Sequence, residues 1–230
     1  MSHRRRKGDG VRSLRPEGYI PAAERDWLLP LYDPVLRVLF HEEQVKRQLL
    51  AQANVHPDHR LLDVGCGTGT LVLRVKTECP EAEVVGLDGD PKALAVARRK
   101  VAEAGADVTL DEGLAYELPY PDACFDRVFA SLVLHHLTGE QKQRSLAEIL
   151  RVLVPGGTFH LLDFGTPVSL WERLLARIAF RSAEARDNID GRLAALLREA
   201  GFEHVEELAR RGTIVGSLWY YRAAKAPDKR

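Results

Sequence analysis

A glycine-rich turn directly after a short apolar run constrains the fold of this chain more than any other feature. The run Arg60–Val64 is typical of a buried strand, and Gly65, Gly67 and Gly69 follow it. Glycine is needed where the backbone takes a positive φ or approaches a ligand closely. About twenty residues later, Asp88 ends the next apolar run, where nucleotide-binding folds place the carboxylate that meets a ribose diol. The spacing predicts a ligand site between two neighbouring parallel strands.

The glycines alone leave other interpretations open. A tight strand-to-helix turn that binds nothing would also use Gly65 and Gly67. The dinucleotide-binding pattern is G-x-G-x-x-G, but here the third glycine, Gly69, comes one residue early and Thr70 holds the later position. This displacement argues against a nicotinamide-dependent oxidoreductase.

Strand-like and helix-like segments alternate along most of the chain, which predicts βαβ units and a mostly parallel sheet. The predicted strands are Arg60–Val64, Ala82–Leu87, Ala106–Leu110, Phe125–Ala130, Thr158–Phe164, Val205–Ala209 and Thr213–Ala223. The predicted helices are Glu42–Ala53, Thr70–Cys79, Pro91–Ala104, Gln141–Leu153 and Asp190–Ala200. Only Arg210–Gly212 separates the last two strands, and so short a link requires an antiparallel hairpin.

The predicted fold class is therefore α/β: a Rossmann-like, doubly wound, mostly parallel seven-stranded sheet with a C-terminal antiparallel hairpin and an N-terminal helical segment. The 230 residues are enough for one such domain. Residues 1–16 form a basic tail that we expect to be disordered rather than a nucleic-acid arm. Residues 17–230 form the domain, with a helical cap at 17–54 and a helical insertion or lid at 165–189.

Charge and cysteine content exclude several classes of protein. Lysine plus arginine and aspartate plus glutamate both number 33, so no net field attracts nucleic acid. Cys66, Cys79 and Cys124 are odd in number and lack C-x-x-C spacing, which argues against disulfides and zinc. We expect no metal ligand set and no membrane span, and the absence of a signal-peptide pattern predicts a cytoplasmic protein. Either a monomer or a homodimer is compatible with these features.

Five motifs in the same order resemble those of the class I S-adenosylmethionine-dependent methyltransferases. They are Asp63–Gly69, Val85–Asp88, Glu117–Asp126, Ser131–Leu137 and Glu148–Gly157. Together they span roughly residues 55 to 165, and the predicted terminal hairpin is similar to the family's last two strands. The pattern is most similar to the ubiquinone/menaquinone C-methyltransferase-like branch and its small-molecule relatives.

The resemblance implies transfer of a methyl group from S-adenosylmethionine to a small-molecule acceptor, with S-adenosylhomocysteine as the product. It leaves open whether oxygen, nitrogen or carbon accepts the methyl group. One alternative is a non-catalytic scaffold that binds S-adenosylmethionine, although a scaffold would not need Asp63 and Asp88. The other is a nucleotide-cofactor oxidoreductase. Nucleic-acid methylation is disfavoured because the Asp/Asn-Pro-Pro-Tyr-type signature is missing after the fourth strand.

The resemblance also implies which residues bind the cofactor. Asp63 would organise the glycine loop or meet the cofactor's ammonium group, and Asp88 would accept both ribose hydroxyls. The remaining candidates are Gly65, Cys66, Gly67 and Gly69 at the methionyl part, Gly89 at the ribose, Leu114 and Ala115 at the adenine, and Ser131 and Leu132 as backbone near the methionyl end.

The adenine position departs from the family pattern. Relatives often carry Gly-Asp-Ala there, with the acid reaching the adenine amine, whereas this chain has Gly113-Leu114-Ala115. Either Asp111 or Glu112 replaces that acid, or backbone and apolar contacts alone hold the adenine.

His135 and His136 are the candidate catalytic residues. They follow the fourth strand, where the acceptor approaches in similar enzymes, and histidine titrates near neutral pH. The alternative is that paired histidines are only a loop feature of the family. Tyr32 in the N-terminal cap and Trp171 in the insertion are the candidate acceptor-pocket residues, with core packing as the alternative for the cap. We expect His160, inside a strand, to be packed rather than catalytic.

Overall fold

A computed structural model describes residues 42–168, 188, 190–213 and 216–228 of the chain. The predicted basic tail, most of the helical cap and most of the insertion lie outside the described residues. The candidate pocket residues Tyr32 and Trp171 lie outside them as well, so their assignment stays a prediction.

The described residues form seven strands, five α-helices and one 3-10 turn. The strands are β1 (Arg60–Val64), β2 (Glu83–Asp88), β3 (Thr109–Glu112), β4 (Phe125–Ser131), β5 (Leu153–Phe164), β6 (Glu203–Thr213) and β7 (Gly216–Ala224). The helices are α1 (Glu42–Ala51), α2 (Thr70–Glu78), α3 (Pro91–Glu103), α4 (Gly139–Val152) and α5 (Leu193–Glu199), and the 3-10 turn is Leu134–His136.

All seven strands lie in one sheet in the order β3-β2-β1-β4-β5-β7-β6. β1 to β5 pair in parallel, whereas β7 is antiparallel to both β5 and β6. This arrangement confirms the predicted α/β fold, including the antiparallel end. Strand order reverses between β1 and β4, and such a switch point is where ligands bind in open α/β sheets.

The predicted link between the last two strands was wrong. Arg210 and Arg211 lie inside β6, where Arg210 pairs with Trp219 and Arg211 with Leu218. The two arginines suggested a solvated turn, but β6 is the edge strand and can carry charged side chains along its length. Arg210 also places its guanidinium carbon 4.1 Å from the centre of the Trp219 ring, which lets a charged residue cover part of the sheet.

Several predicted boundaries also shifted. β5 begins at Leu153 rather than Thr158, because Pro155–Gly157 continues the strand instead of interrupting it. A register irregularity between Phe125 and Arg127 accommodates that stretch against β4. β3 starts three residues later than predicted, at Thr109. The Asp90 cap was correct, since its carboxylate accepts from the Lys92 amide at 2.9 Å.

The core lies on both faces of the sheet, as a doubly wound fold requires. On one face, α4 and α5 cover Phe125, Phe159 and their neighbours. On the other face, α1, α2 and α3 cover Leu61, Phe129 and Leu162. Within the described part of the chain, no helix has both the length and the apolar character needed to cross a membrane.

We predict that Phe159→Ala lowers the free energy of unfolding by about 3 to 5 kcal/mol, because it empties a large, fully buried site. Phe159 is 0% exposed and stacks on Phe202 with ring centres 5.7 Å apart. Urea denaturation measures the loss. Thr77→Ala is the control: this exposed residue bonds only the Leu73 carbonyl, and its substitution should change stability by no more than about 0.5 kcal/mol. Equal effects would contradict the core assignment.

Candidate functional site

The glycine loop after β1 is attached to the end of β2 by two backbone hydrogen bonds. The amides of Gly65 and Cys66 both donate to the carbonyl oxygen of Leu87, at 2.7 and 3.0 Å. Gly65, Gly67 and Gly69 have φ angles of +72°, +55° and +79°. Side chains rarely adopt these values, so the turn needs the three glycines that the sequence places there.

Gly65 also lies against the segment that follows β4. A Cβ atom at Gly65 would stand only 2.4 Å from Cγ2 of Val133. The glycine loop and the Ser131–His136 segment are therefore in direct contact at the switch point of the sheet. The two regions that the sequence assigned to cofactor and acceptor come together in the structure.

Asp88 holds the glycine loop from the neighbouring strand. Its Oδ2 accepts from the Gly67 amide at 2.7 Å, and its Oδ1 accepts from the Asp90 amide at 2.8 Å. Burial raises the pKa of Asp88, and these backbone hydrogen bonds oppose the rise. Two carboxylate oxygens offer about four lone-pair positions, so each oxygen can accept a further donor. The hydrogen bond from the Gly67 amide to Asp88 positions the glycine loop, and the sequence did not predict it.

Asp63 is a buried carboxylate with one oxygen unused. The residue is 4% exposed, and its Oδ1 accepts no hydrogen bond from the described residues. Burial raises the pKa of Asp63 to about 7, while the charge of Lys46 opposes this rise and that of Asp88 adds to it. A buried acceptor without a donor is costly, and a cationic group bound beside it would offset that cost.

The end of β4 is strained where it meets the loop. Leu132 has a φ of +60°, which is uncommon for a residue with a side chain. Its amide donates to the Leu162 carbonyl of β5 at 2.8 Å, which holds the bend. The Ser131 hydroxyl is buried and has no hydrogen-bond partner among the described residues. Strained backbone persists where surrounding structure enforces it, and such sites are often functional.

Asp111 of β3, a candidate to meet the adenine, already has a hydrogen-bond partner. Its Oδ2 accepts from the Tyr120 hydroxyl at 2.9 Å, whereas Glu112 is exposed at the end of the strand beside Asp88. Leu114 forms an isolated antiparallel bridge with Glu117. Of the two acids considered from sequence, Asp111 is already committed to Tyr120 and Glu112 is the accessible one.

His135 forms a short hydrogen bond with a buried carboxylate that the sequence analysis missed. Its Nδ1 lies 2.7 Å from Oδ1 of Asp163, at the end of β5. The Asp163 side chain is fully buried, and that of His135 is 11% exposed. The sequence did contain a signal for this pair. One strand ends in Leu-Leu-Asp-Phe and its predicted neighbour leads into His-His, and the carboxyl ends of adjacent parallel strands meet.

His136 packs beside His135, with ring centres 4.0 Å apart. Burial lowers the pKa of His136 to about 4, and the neighbouring His135 adds to this effect while Asp163 opposes it. His136 is therefore neutral at physiological pH. The sequence favoured His136 over His135 as the residue that lines the acceptor pocket, but in the structure it is His135 that pairs with a carboxylate.

Other residues of the motifs serve the structure. Arg151 donates to Glu148, to Asp122 and to the Tyr120 and Leu118 carbonyls, with distances of 2.8 to 3.1 Å. This network ties the loop after β3 to α4. In this chain, Glu148 and Arg151 of the Glu148–Gly157 motif therefore support that loop.

Cys66 and His160 are both buried. Burial raises the pKa of the Cys66 thiol, and its place at the methionyl part of the cofactor stays a prediction. His160 is buried, and its Nε2 lies 2.9 Å from the Thr158 hydroxyl, as expected for a packed histidine. The described cysteines are free. The described residues also contain no cluster of three or more metal-binding side chains.

The motifs and the fold agree with a comparison to known protein families. The family described as "Methyltransferase domain" matches residues 61–157. A demethylmenaquinone methyltransferase of Deinococcus radiodurans is 34% identical over 85% of this chain and 84% of its own length. The chain belongs to the class I S-adenosylmethionine-dependent methyltransferases. It lies in the ubiquinone/menaquinone C-methyltransferase-like branch.

Two further comparisons support this assignment. A demethylmenaquinone methyltransferase of Thermus thermophilus is 36% identical over 67% of this chain and 70% of its own length. The YcgJ protein of Bacillus subtilis has a solved structure with a TM-score of 0.66, covering 81% of this chain and 100% of that one. It is 18% identical, so it shows the fold alone.

Membership of this family determines the reaction class. The methyltransferase catalyses S-adenosylmethionine-dependent methyl transfer to a small-molecule acceptor. This finding confirms the function inferred from the motifs.

We predict that Gly65→Ala destabilises the fold more than Gly156→Ala does. Both glycines have a positive φ, +72° and +78°, so both substitutions introduce similar backbone strain of about 1 to 2 kcal/mol. Only Gly65→Ala adds a clash with Val133, which should cost about 1 to 3 kcal/mol more. Chemical denaturation measures both variants. A double-mutant cycle with Val133→Ala should recover the extra loss, and no coupling would contradict the contact.

We predict that His136 lowers stability as the pH decreases from 6.5 towards 4. The unfolded chain protonates His136 in this window, whereas the folded chain keeps it neutral because its pKa is lowered to about 4. His136 therefore makes the free energy of unfolding rise with pH, while Asp63, whose pKa is raised to about 7, contributes a slope of opposite sign. Urea denaturation at several pH values should give a less positive slope for His136→Asn than for the unchanged protein. His160→Gln should behave similarly, since burial lowers its pKa to about 3; unchanged slopes would contradict both assignments.

Proposed function

We propose that the methyltransferase binds S-adenosylmethionine over its glycine loop, with Asp63 near the ammonium group and Asp88 accepting from the ribose hydroxyls. The single observation that carries this proposal is the buried Oδ1 of Asp63, which has no donor among the described residues. When bound, S-adenosylmethionine supplies a methyl group already activated on a positively charged sulfur. The protein's contribution is alignment and exclusion of water.

The backbone around the loop fits such a ligand. Gly67 has nothing within 4 Å of the position that its Cβ would occupy, so a ligand can approach the loop there. Asp88 retains lone pairs for two hydroxyl donors while it holds the Gly67 amide. Gly89 follows at the same edge of the sheet, and Ser131 and Leu132 border the methionyl side. Leu114 and Ala115 border the adenine, and Glu112 is the accessible acid that could meet its amine.

We place the methyl acceptor over the Leu134–His136 turn, on the side away from Asp88. This turn follows the segment that touches Gly65 through Val133, so an acceptor there would face the methionyl end of the cofactor. Tyr32 and Trp171 would complete the pocket from the cap and the insertion. The relatives named as demethylmenaquinone methyltransferases make a reduced naphthoquinone a reasonable first acceptor to assay.

We predict that Asp88→Ala weakens binding of S-adenosylhomocysteine by about 2 to 4 kcal/mol, because two hydroxyls lose their acceptor. Isothermal titration calorimetry measures the affinity. Asp88 also supports Gly67, so part of the loss could come from a loosened loop.

The 2′-deoxy analogue of S-adenosylhomocysteine separates the two effects. If Asp88 binds the ribose, the substitution should cost less affinity for the deoxy analogue than for the natural ligand. Equal losses would show that Asp88 only supports the loop. Asp122→Ala is the matched control, because this exposed carboxylate pairs with Arg151 away from the glycine loop, and it should bind S-adenosylhomocysteine as the unchanged protein does.

A further inference from the structure

We infer that His135 accepts a proton from a hydroxyl group of the methyl acceptor, and that Asp163 is the positioning residue that prepares it. The acceptor class is then a phenol, hydroquinone or enol, whose nucleophile is uncovered when the hydroxyl ionises. This inference rests on the proposed function, because it places the acceptor at the Leu134–His136 turn.

The carboxylate of Asp163 is built to stay ionised inside the protein. Its Oδ1 accepts from the Phe164 amide at 2.7 Å and meets Nδ1 of His135 at 2.7 Å, while its Oδ2 accepts from the His135 amide at 3.3 Å. Burial alone would raise the pKa of Asp163, but His135 and the Phe164 amide hold it below its ordinary value. A fully buried carboxylate with this set of donors can remain charged.

An ionised Asp163 determines where His135 carries its proton. A carboxylate only accepts hydrogen bonds, so the proton of the neutral ring lies on Nδ1. Nε2 then carries the lone pair of the ring and can accept a proton. The same logic applies wherever a buried aspartate orients a histidine base.

The environment favours His135 over His136 in this role. Titratable groups that the structure places against His135 are Asp163 from β5 and His136 from the same turn, and Phe164 adds an aromatic edge at 5.0 Å. Among the described residues no carboxylate forms a hydrogen bond with His136, and its pKa is lowered to about 4. A base with so low a pKa would hold an abstracted proton weakly at neutral pH.

The position of the pair suits methyl transfer. β4 and β5 are parallel neighbours, with Ser131 beside Leu162, so Asp163 lies one residue beyond the end of β4. His135 comes two residues after Val133, which contacts the glycine loop at Gly65. The pair thus lies at the same edge of the sheet as the glycine loop, beside the proposed methionyl site. Such placement lets one group act on the acceptor without contacting the ribose or adenine.

The proposed step balances without another reagent. The acceptor's O–H bond breaks, its proton moves to Nε2 of His135, and its electron pair forms the new bond to the methyl group. The electrons of the broken sulfur–carbon bond stay on sulfur, and the imidazolium later releases its proton to water. A ring carbon conjugated with the oxygen can form the bond instead; it then loses its own hydrogen as a proton while the hydroxyl regains one.

The first test determines which ring nitrogen of His135 carries the proton, and it needs no methyl acceptor. Nitrogen-15 NMR of the ring should show His135 with its proton on Nδ1 in the unchanged protein. Asp163→Asn should move the proton to Nε2, because an amide can donate to Nδ1. Detection of the proton on Nε2 in the unchanged protein would overturn the inference, even if cofactor binding is normal.

The second test measures methyl transfer from labelled S-adenosylmethionine to a series of phenols, hydroquinones and enols of increasing acidity, with amines and thiols alongside. His135→Asn keeps a donor near Asp163 but removes Nε2. It should lower turnover of weakly acidic hydroxyl acceptors by about a hundredfold or more. The loss should shrink for acceptors that are already ionised at the assay pH, and it should shrink as the pH rises.

A structural role would give a different result. If His135 only supports the turn, the variant should lose the same factor for every acceptor at every pH, and the inference would be wrong. Methylation of amines or thiols but of no hydroxyl acceptor would also overturn it, while the proposed function would stand. Failure of S-adenosylhomocysteine to bind the unchanged protein in calorimetry would instead contradict the proposed function itself. Thermal melting confirms that the His135→Asn variant is folded.

Discussion

Two hydrogen bonds to the carbonyl oxygen of Leu87 underlie the arrangement of the site. Through them the amides of Gly65 and Cys66 attach the loop of β1 to the end of β2. The loop can make these bonds only with a positive φ at Gly65, and the absence of a side chain there lets Val133 pack directly against it. The carboxyl ends of β1, β2 and β4 are therefore locked together, and the residues that follow each strand have little freedom to move apart.

Much of the fold was predictable because its signals are local. Apolar runs separated by helical spacing placed β1, β4 and most helices within a few residues, and the Asp90-Pro91 pair located the start of α3. The errors in strand boundaries arose where the local residue types favour a turn but the neighbouring strands keep the segment in the sheet. Arg210 and Arg211 suggested a turn, yet an edge strand accepts them. Pro155 and its glycines suggested a break, yet β5 continues through an irregular register beside β4.

The candidate site was predictable only in part, for a related reason. The glycine loop and Asp88 each lie in a recognisable sequence motif, whereas Asp163 lies 28 residues from His135 and meets it because β4 and β5 are neighbours. Sequence spacing alone does not show which carboxylate approaches which histidine. The same limit hid the role of Arg151, which supports the loop after β3 by bonds to its carbonyls. Asp111 shows the opposite error. The sequence made it a candidate to bind the cofactor, but in the structure its carboxylate accepts a hydrogen bond from Tyr120.

The two halves of the site therefore differ in how they are specified. On the proposed cofactor side, backbone amides and glycine conformations determine the shape of the loop, and these depend on a short, contiguous motif. On the acceptor side, the proton-accepting geometry depends on one buried carboxylate that satisfies the Phe164 amide, the His135 amide and the His135 ring together. Because Asp163 is fully buried, it does not meet the acceptor and can stay the same while the surrounding pocket changes. In the proposed mechanism, the requirement for an ionisable hydroxyl thus depends on a side chain that the sheet holds in place and not on the residues that contact the acceptor.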